Sequence, residues 1–498
     1  MGTVSVRIHQ VIMDKLRRYH LSGNKRKESL SYIWGQAVKT KGGIVILVPH
    51  NAPLFLFAPD CYENQTSGNV RLNPDVLNGM LIKFAASSFN CLINVHDHWF
   101  DEYTRFSMID NQDDIIFDRY LKKTFEPMLA KHPHIGKKRK IFNLSIVLAQ
   151  KGIDARLVNT RAKSKFQTVT SLTVVGNTYE RMNVGRLDQN SRIKNMYHRQ
   201  KAFVSHDDQI LLRDLNVAVI GCGGLGSVLA ESLGRVGFGG VTLIDDDSIE
   251  ASNLNRWQGG TPGNIGKNKA STLGGRMRRM FPDMCVKYAK KSVFDPSIEP
   301  ILSTCDVIVA GLDNDEARYF LNRFSIQYGV PYFDAGVSVS GITEGVDFHL
   351  RYFSVLPGET ACIECSQYSL FDREKTLNAF MSEITMKSKR SAGYVVDNPD
   401  IETPSVYVLN LRSASVLVTE LLNYICGWRP PATVIYESWR EGNIQRCDRG
   451  NFPEGPDPEC PICGYFAGVG DTEALPRPRD SHFSTGSLET ISLEVKHG

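Results

Sequence analysis

The second half of this 498-residue chain is organised around one run, Asn216-Val-Ala-Val-Ile-Gly-Cys-Gly-Gly-Leu-Gly226. An apolar strand pattern, a glycine-rich turn and a helical pattern over Ser227–Val236 precede a second apolar run, Gly240–Ile244, which ends at Asp245. This order predicts a β-α-β unit with fully buried strands. Glycines let a helix N-terminus approach a phosphate, and an acid after the second strand can hold ribose hydroxyls. NAD-dependent dehydrogenases share this pattern, and glycine also serves tight strand–helix packing, so the run alone leaves the chemistry open.

Further strand-like runs at Val307–Ala310 and Pro331–Ala335 make this half a doubly wound α/β domain. Its polar residues favour one nucleotide chemistry. Attack on an α-phosphate with loss of pyrophosphate needs several cations and a carboxylate for a metal ion, whereas hydride transfer needs few cations. The candidates for the first chemistry are Asn253, Arg256, Lys269 and Asp313, with Arg318 behind them. Each is unremarkable alone, but as a set they favour adenylation over an NAD-dependent oxidoreductase.

The stretch from about 196 to 365 resembles the ThiF/MoeB family of adenylating enzymes, the bacterial relatives of the ubiquitin-activating enzyme. The motifs that carry the resemblance are Tyr197-His-Arg-Gln200, Gly221-Cys-Gly-Gly-Leu-Gly226, Leu243-Ile-Asp-Asp-Asp-Ser-Ile249, Ser252-Asn-Leu-Asn-Arg256, Lys269 and Leu312-Asp-Asn314. The resemblance implies an ATP site made of Gly221, Gly223, Gly224, Gly226, Asp245, Asn253, Arg256, Lys269 and Asp313. Within it, Gly224 would touch the phosphates, Asp245 the ribose, and Asp313 would hold Mg²⁺. Arg199 resembles the family's arginine that reaches into the partner subunit's site, which implies a homodimer.

Two Cys-x-x-Cys pairs, Cys362-Ile-Glu-Cys365 and Cys460-Pro-Ile-Cys463, match the structural zinc of the same family. Four thiolates suit a closed tetrahedral zinc site, and the alternative is two unrelated pairs of free thiols. Such a zinc would tie the C-terminal segment back onto the fold. We therefore expect an adenylation domain over residues 183–465 and a flexible tail over residues 466–498.

Residues 1–182 have the pattern of an α+β domain. The expected elements are strands at Ile44–Val48, Leu54–Phe57, Cys91–Val95, Leu144–Leu148 and Thr168–Val175, and helices over Pro74–Ala86 and from Ser107 onwards. His96-Asp-His98 follows one strand, and alternation places both imidazoles on one face, ready for one metal ion. Ser107-Met-Ile-Asp110 opens the second helix, where serine followed three residues later by an acid is also an ordinary helix-start device.

Together with Glu28, this set resembles the JAB (JAMM) metalloprotease family, which hydrolyses peptide or isopeptide bonds after ubiquitin-like proteins. The resemblance implies that His96, His98 and Asp110 bind a catalytic zinc and leave a fourth position for water. Glu28 would take the proton of that water, and Ser107 would stabilise the oxyanion. Trp99 stands where the family usually has proline, and residues 99–109 make the spacing to Asp110 one residue longer than the family's.

Composition limits the classes of partner. The net charge of +4, from 58 Lys+Arg and 54 Asp+Glu, is too small to favour nucleic acid or a membrane surface as partner by charge alone. The N-terminus lacks the profile of a signal peptide, and apolar runs such as Gly43–Val48 are far shorter than a membrane span. The expectation is a cytoplasmic protein of two or three domains.

These observations predict a two-headed enzyme of a bacterial ubiquitin-like pathway. One domain would adenylate the C-terminal glycine of a ubiquitin-like protein with ATP, and the other would process that protein; a conjugating-type enzyme or a sulfur donor would be a further partner. The alternatives are sulfur-carrier activation for cofactor synthesis, and a JAB domain that only docks the modifier. Residues 366–425 contain no cysteine, so we expect no thioester on this chain. Packing roles are expected for Cys222, Cys285, Cys305 and Cys426. Cys447 differs from these four because it lies in a polar segment.

Overall fold

The computed structural model describes residues 2–22, 27–40, 42–66, 70–98, 104–127, 140–182, 195–340, 347–365, 405–440, 443–448, 453 and 455–478. The chain divides into two compact units. The N-terminal unit consists of Met1–Gly176, Glu180–Gln189 and Ala467–Glu473, and the C-terminal unit consists of Asn177–Tyr179, Asn190–Phe466 and Ala474–Gly498. Neither unit is therefore one continuous piece of chain. No helix among the described residues is long and apolar enough to cross a membrane.

A mixed sheet forms the centre of the N-terminal unit. Its strands are β1 Thr3–His9, β2 Leu30–Lys39, β3 Gly43–Val48, β4 Leu54–Leu56, β7 Cys91–Asp97, β8 Phe142–Ala149, β9 Gly152–Val158, β10 Phe166–Thr168, β11 Ser171–Val175 and β12 Tyr179–Met182; β5 Tyr62–Gln65 and β6 Val70–Leu72 form a separate hairpin. The order across the sheet is β10-β9-β8-β7-β2-β3-β1-β11-β12, with β4 also paired to β2. Antiparallel pairing of β2 with β7 sets Leu30 opposite His96, so the segment entering β2 lies beside the end of β7.

Helices α1 (Gln10–Leu21), α2 (Pro74–Ala86) and α3 (Met108–Tyr120) belong to this unit, and α3 continues as a π-helical turn over Leu121–Phe125. The bounds of α2 agree with those expected, because Asn73 caps its N-terminus and Pro74 suits the first helical position. The single strand expected over Thr168–Val175 is wrong. The chain forms β10 against β9 and then β11 against β1, so it passes from one edge of the sheet to another strand between Thr168 and Ser171.

The C-terminal unit has the expected Rossmann-like core with an antiparallel extension. Its strands are β13 Asn216–Ile220, β14 Gly240–Ile244, β15 Cys285–Ala289, β16 Val307–Ala310, β17 Tyr332–Ser340, β18 Asp347–Val355, β19 Val434–Arg440 and β20 Asn443–Asp448, in the order β15-β14-β13-β16-β17-β18-β19-β20. Strands β13 to β17 pair in parallel, which confirms the doubly wound half. The antiparallel β18 to β20 were not predicted.

Helices of the C-terminal unit are α4 His206–Asp214, α5 Gly224–Val236, α6 Lys269–Met280, α7 Glu299–Leu302, α8 Asp315–Tyr328, α9 Tyr407–Ile425 and α10 Cys463–Phe466. Helix α5 begins three residues earlier than the pattern indicated, because Gly223 serves as its N-cap. A helical lead-in was expected over residues 185–212; residues 183–194 lie outside the described part. Part of the expected tail packs: Leu475 is buried, and Arg477 donates a hydrogen bond to the carbonyl of Phe294.

Candidate functional site

A cavity of about 1350 Å³ opens in the C-terminal unit at the carboxyl ends of β13, β14 and β16. This edge, where the strand order reverses between β13 and β16, is where doubly wound sheets bind their ligands. All the residues expected to bind ATP line it except Gly226, namely Gly221, Gly223, Gly224, Asp245, Asn253, Arg256, Lys269 and Asp313. Residues that lie more than ninety positions apart in sequence thus share one site.

The glycine loop between β13 and α5 is shaped by close backbone contacts. Gly221 has a φ of 79°, a left-handed conformation that a side chain strains. A Cβ on Gly226 would lie 1.7 Å from the carbonyl oxygen of Gly221, so this glycine permits the turn and does not line the cavity. A Cβ on Gly224 would lie 2.6 Å from Nδ2 of Asn410, whereas Gly223 faces open space. The loop therefore leaves the N-terminus of α5 open to an anion at Gly223.

Asp245, at the end of β14, also fixes this loop. One carboxylate oxygen accepts the N–H of Cys222 at 2.6 Å and the other accepts the N–H of Asp247 at 2.8 Å. Trp257 holds the loop from the other side, because its indole N–H donates to the carbonyl of Cys222 at 2.7 Å. Each oxygen of Asp245 keeps acceptor capacity for a ribose hydroxyl.

Burial raises the pKa of Asp245 to about 6, and the hydrogen bonds from the Cys222 and Asp247 amides only partly oppose this. A ribose that donates to this carboxylate prefers the ionised form, so lowering the pH through 6 should weaken ATP binding. With a pKa of about 6, roughly nine-tenths of this carboxylate is ionised at pH 7 and roughly one-tenth at pH 5, so we expect the KM for ATP to rise about tenfold between these two pH values. Initial rates of pyrophosphate exchange would measure it, and Asp245→Asn should bind ATP weakly with a flat pH profile.

Charged side chains line the cavity beside the glycine loop. Lys269, the first residue of α6, donates to Asp247 at 2.8 Å. Burial would lower the pKa of Lys269, but the hydrogen bond to Asp247 and the charges of Asp245 and Asp313 raise it, so the amine stays cationic. Asp313 is exposed in the turn before α8, where a metal ion can reach it. Arg256 donates to the carbonyl of Ser252 at 2.7 Å, which holds its guanidinium at the rim.

Sequence reasoning missed the far side of the cavity. It is lined by Ser338, His349, Arg351, Ser405, Asn410 and Tyr436, from β17, β18, β19 and the segment that starts α9. Tyr436 and Nδ1 of His349 share a hydrogen bond of 2.7 Å. No motif marked these residues, because their positions depend on antiparallel pairing and on the packing of α9 against α5. Arg199 is exposed in the 3-10 turn Asn195–Gln200 and does not line this chain's cavity.

The four cysteines of the two Cys-x-x-Cys pairs come together in the C-terminal unit. Their sulfurs are separated by 3.8 Å for Cys362 and Cys365, 3.8 Å for Cys362 and Cys460, and 3.5 Å for Cys365 and Cys463. Zinc–sulfur bonds of about 2.3 Å in a tetrahedron place sulfurs about 3.8 Å apart, so the cluster fits one zinc ion. Backbone N–H groups of Asp457 and Ile462 point at two of the sulfurs, as around thiolate ligands.

Cys365→Ser should cost the protein one zinc ion per chain and a large part of the stability of this unit. A closed thiolate site contributes to folding itself, so we expect a loss of about 4 kcal/mol, which is exceptional for one substitution. Metal analysis and thermal unfolding would measure both effects. Cys285→Ser is the control, because Cys285 is exposed outside the cluster. Full zinc content in Cys365→Ser would reject the site.

A second cluster lies in the N-terminal unit. Nε2 of His96 is 3.3 Å from Oδ1 of Asp110, and Nε2 of His98 is 3.5 Å from Oδ2 of the same carboxylate. Zinc bonds of about 2.0–2.1 Å in a tetrahedron separate nitrogen and oxygen ligands by about 3.4 Å, so the three side chains fit one zinc ion. Burial would raise the pKa of Asp110, but the hydrogen bond and charge of His96 hold it below its usual range.

Glu28 is 4% exposed and lies two residues before Leu30, which pairs with His96 across β2 and β7. Burial raises its pKa to about 7, the charge of His96 opposes the shift, and the charges of Asp110 and Asp97 add to it. Ser107 has the ordinary helix-start role in the described structure: its Oγ accepts the N–H of Asp110 at 3.1 Å, and its own N–H donates back to that carboxylate.

An arginine that the sequence did not single out holds the ligand-bearing end of α3 against β9. Nε of Arg156 donates to Asp114 at 2.8 Å, and its guanidinium lies 3.6 Å from the ring centroid of Phe106 and 4.1 Å from that of Phe166. Cation–π contacts and a buried ion pair together fix the start of α3. This packing brings Asp110 to the two histidines despite the longer spacing; Trp99 lies outside the described residues.

A parallel sheet with a glycine loop, a carboxylate at the end of the second strand and cations around one cavity is the arrangement of a Rossmann-like nucleotide-binding domain. Comparison with known proteins makes this specific. The chain belongs to the ThiF family, whose sequence profile matches residues 197–462.

Named relatives match part of the chain. It is 30% identical over 199 residues to ubiquitin-like modifier-activating enzyme 5 of Drosophila grimshawi, which is 38% of this chain and 48% of that protein. It is 32% identical over 174 residues to the sulfur carrier protein ThiS adenylyltransferase of Bacillus subtilis (strain 168), 34% of this chain and 49% of that protein. The chain spans about half the length of the curated relatives it matches. Among solved structures, Escherichia coli MccB with MccA-N7isoASN is 21% identical, with a TM-score of 0.43, over 55% of this chain and 76% of that one.

Proposed function

We propose that the C-terminal unit uses ATP to adenylate the carboxyl terminus of a ubiquitin-like protein or sulfur carrier. The observation that carries the proposal is the single cavity in which the glycine loop, Asp245, Lys269 and Asp313 meet. Two named relatives support this choice of substrate. One is a ubiquitin-like modifier-activating enzyme, and the other is an adenylyltransferase of a sulfur carrier protein. We favour a ubiquitin-like protein, with sulfur-carrier activation for cofactor synthesis as the second candidate.

In the proposed reaction, a carboxylate oxygen of the substrate attacks the α-phosphorus of ATP, the bond to the β-phosphate breaks, and pyrophosphate leaves. Asp245 holds the ribose, and the N-terminus of α5 faces the phosphates. Lys269 and Arg256 offset the charge that builds up on pyrophosphate. Asp313 would hold Mg²⁺, which supplies further charge neutralisation when bound.

The test is ATP–pyrophosphate exchange by the whole chain with a candidate substrate. We expect exchange with a ubiquitin-like protein that ends in a free Gly-Gly carboxylate, and none with the same protein carrying a C-terminal amide. A purified sulfide donor or a conjugating-type enzyme, added in parallel, then separates sulfur transfer from protein modification. Equal exchange with the free acid and the amide would contradict the proposal.

For the N-terminal unit we propose zinc-dependent hydrolysis of the peptide or isopeptide bond that follows the modifier. The arrangement of His96, His98 and Asp110, with Glu28 buried beside them, carries this proposal. Zinc at these ligands would act as a Lewis acid and lower the pKa of a water molecule. Glu28 takes the proton of the attacking water and delivers it to the leaving amine, and Ser107 stabilises the oxyanion.

A docking module without hydrolysis is the alternative for this unit. Both versions predict binding of the modifier, but only the enzyme predicts that a fluorogenic amide ending in Gly-Gly is cut and that removal of zinc stops cutting. The whole protein should contain two zinc ions per chain, one exchanging readily and one resisting weak chelators. A single zinc in the wild type that persists in His96→Ala would reject the N-terminal site.

We further expect that the adenylate passes directly to a partner, with no thioester on this chain. Cys222 is buried, and burial raises the pKa of half-buried Cys426 to about 12, which blunts both as nucleophiles. The packing role expected for Cys285 is wrong, because the structure exposes it at the start of β15. The side chain of Cys447 and the loop expected over residues 381–397 lie outside the described part.

The check on the thioester is an incubation of enzyme, ATP and modifier without other proteins, followed by electrophoresis with and without reductant. No reductant-sensitive adduct is expected. An adduct that persists in Cys285→Ser and disappears in Cys447→Ser would overturn the prediction and identify the acceptor.

A further inference from the structure

Asp97 is the last residue of β7 and stands between His96, on the same strand, and His98, the residue after it; strand alternation places its side chain on the opposite face from theirs. Its side chain is fully buried, and so is that of His20 in the last turn of α1. Oδ2 of Asp97 lies 2.7 Å from Nδ1 of His20 and accepts the backbone N–H of Ser29 at 3.1 Å. The other ring nitrogen of His20 lies 2.8 Å from Oγ of Ser31. Asp97 thus connects the end of β7, which carries His96 and leads into His98, to the segment that enters β2.

This segment carries Glu28, and its backbone is held on both sides of that residue. The N–H of Glu28 donates to the carbonyl of Thr66 at 2.9 Å, and its carbonyl accepts Nε2 of Gln65 at 2.9 Å. The next N–H along the chain, that of Ser29, is the one bound by Asp97. A hydrogen bond to a buried carboxylate is directional and costly to break, so the Ser29 N–H bond to Asp97 helps to fix the backbone that presents Glu28.

Stability is a poor explanation for this arrangement. A buried imidazole–carboxylate pair loses hydration that roughly offsets its attraction, and an apolar pair of similar volume is often as stable or more so. What such a pair does supply is a defined geometry, because the hydrogen bonds that Oδ2 of Asp97 and the two ring nitrogens of His20 make are directional. The Asp97–His20 pair lies between the end of β7 and the segment of Glu28, whose relative position decides how far Glu28 is from the two histidines.

We propose that Asp97 and His20 are positioning residues, which hold Glu28 at the distance from His96, His98 and Asp110 that proton transfer requires. The inference rests on the proposed hydrolytic function of this unit. Neither residue touches substrate or zinc; both act through the Ser29 amide. Misplacing a catalytic base by about 1 Å costs about 100-fold in rate, so loosening this contact should lower kcat.

The experiment compares Asp97→Asn, His20→Leu and His20→Asn in the full-length protein. Asparagine at position 20 keeps an amide donor where Nδ1 of the imidazole stands, whereas leucine removes it. With a fluorogenic amide ending in Gly-Gly, Asp97→Asn and His20→Leu should retain both zinc ions and lower kcat by about 10- to 100-fold with KM little changed. His20→Asn should recover most of the rate.

Hydrogen exchange supplies a readout that needs neither zinc nor turnover. In the zinc-free protein, a proteolytic peptide spanning residues 27–31 should exchange at least about tenfold faster in Asp97→Asn and His20→Leu. A peptide from β8, Phe142–Ala149, should be unchanged. Unchanged exchange over residues 27–31 overturns the inference, and so does loss of protection throughout the unit, which would mark a general structural role.

The two hypotheses fail in different ways. A wild type that cuts nothing, or a Glu28→Gln variant that cuts at the wild-type rate, rejects the proposed hydrolysis and leaves the exchange measurement to decide whether the pair fixes the segment. A wild type that cuts, with Glu28→Gln inactive and Asp97→Asn fully active, rejects the positioning role alone.

Discussion

Asp313→Ala abolishes ATP–pyrophosphate exchange, lowering it by about 1000-fold or more, if the cavity of the C-terminal unit performs adenylation. The substitution removes an exposed carboxylate that follows β16 and lines the cavity. Asp313 is the proposed protein ligand of Mg²⁺, so its removal should leave the charge of the departing pyrophosphate less well neutralised. The measurement is incorporation of labelled pyrophosphate into ATP with saturating modifier.

Asp207→Ala is the control for this substitution, because Asp207 is an exposed acid of the same unit that does not line the cavity. Lys269→Ala should also abolish exchange. Mixing Arg199→Ala with Asp313→Ala tests the proposed homodimer, since one site of each mixed dimer would combine an intact arginine with an intact carboxylate. Exchange that persists in both Asp313→Ala and Lys269→Ala would eliminate adenylation, and failure of the mixture to recover any activity would count against the shared site.

The second large effect is expected at Glu28. Glu28→Gln keeps the size of the side chain and removes its ability to accept a proton, so hydrolysis of a Gly-Gly amide should fall by about 100- to 10,000-fold. Zinc content should stay at the wild-type value, because Glu28 is not among the three expected ligands. Fluorescence release and metal analysis on the same preparation measure the two quantities.

Glu63→Gln makes the same chemical change on an exposed glutamate of the N-terminal unit and should leave the rate unaltered. Equal turnover by Glu28→Gln and the wild type would remove Glu28 from the mechanism. Loss of zinc in Glu28→Gln would instead place this carboxylate among the ligands and require a different base.

Local sequence signals predicted the nucleotide half well, because each of them operates over a few residues. The run that ends at Gly226 contains strand, turn and helix start together, and the Asp245 position follows from the next strand. The residues expected around one ligand do line one cavity, apart from Gly226, whose contact with Gly221 belongs to the turn. The two Cys-x-x-Cys pairs were equally informative, because pairs with this spacing are typical of zinc sites and the four sulfurs do lie together.

The rest of the molecule depends on contacts between distant segments, which no local pattern contains. The cavity wall that includes His349 and Tyr436 requires antiparallel strands that pair across almost ninety residues of chain. Arg156 packs against the rings of Phe106 and Phe166 while it donates to Asp114. Asp97 contacts His20 on the face of β7 opposite His96. Single charged residues of this kind look like solvated surface positions in a sequence, and only tertiary packing reveals their partners.

The discontinuity of the two units has a practical meaning for anyone who wishes to study the two proposed activities apart. Residues 467–473 return to the N-terminal unit, where Gly468 lies against Pro49 and Gly470 against Val38 of β2. A fragment that stops at residue 182 lacks this returning strap and exposes the apolar surface beneath it. A fragment that starts at residue 183 contains residues 467–473 but lacks the part of the N-terminal unit against which they pack. Inactivating substitutions in the intact chain, rather than truncations, are therefore the way to study the two proposed activities separately.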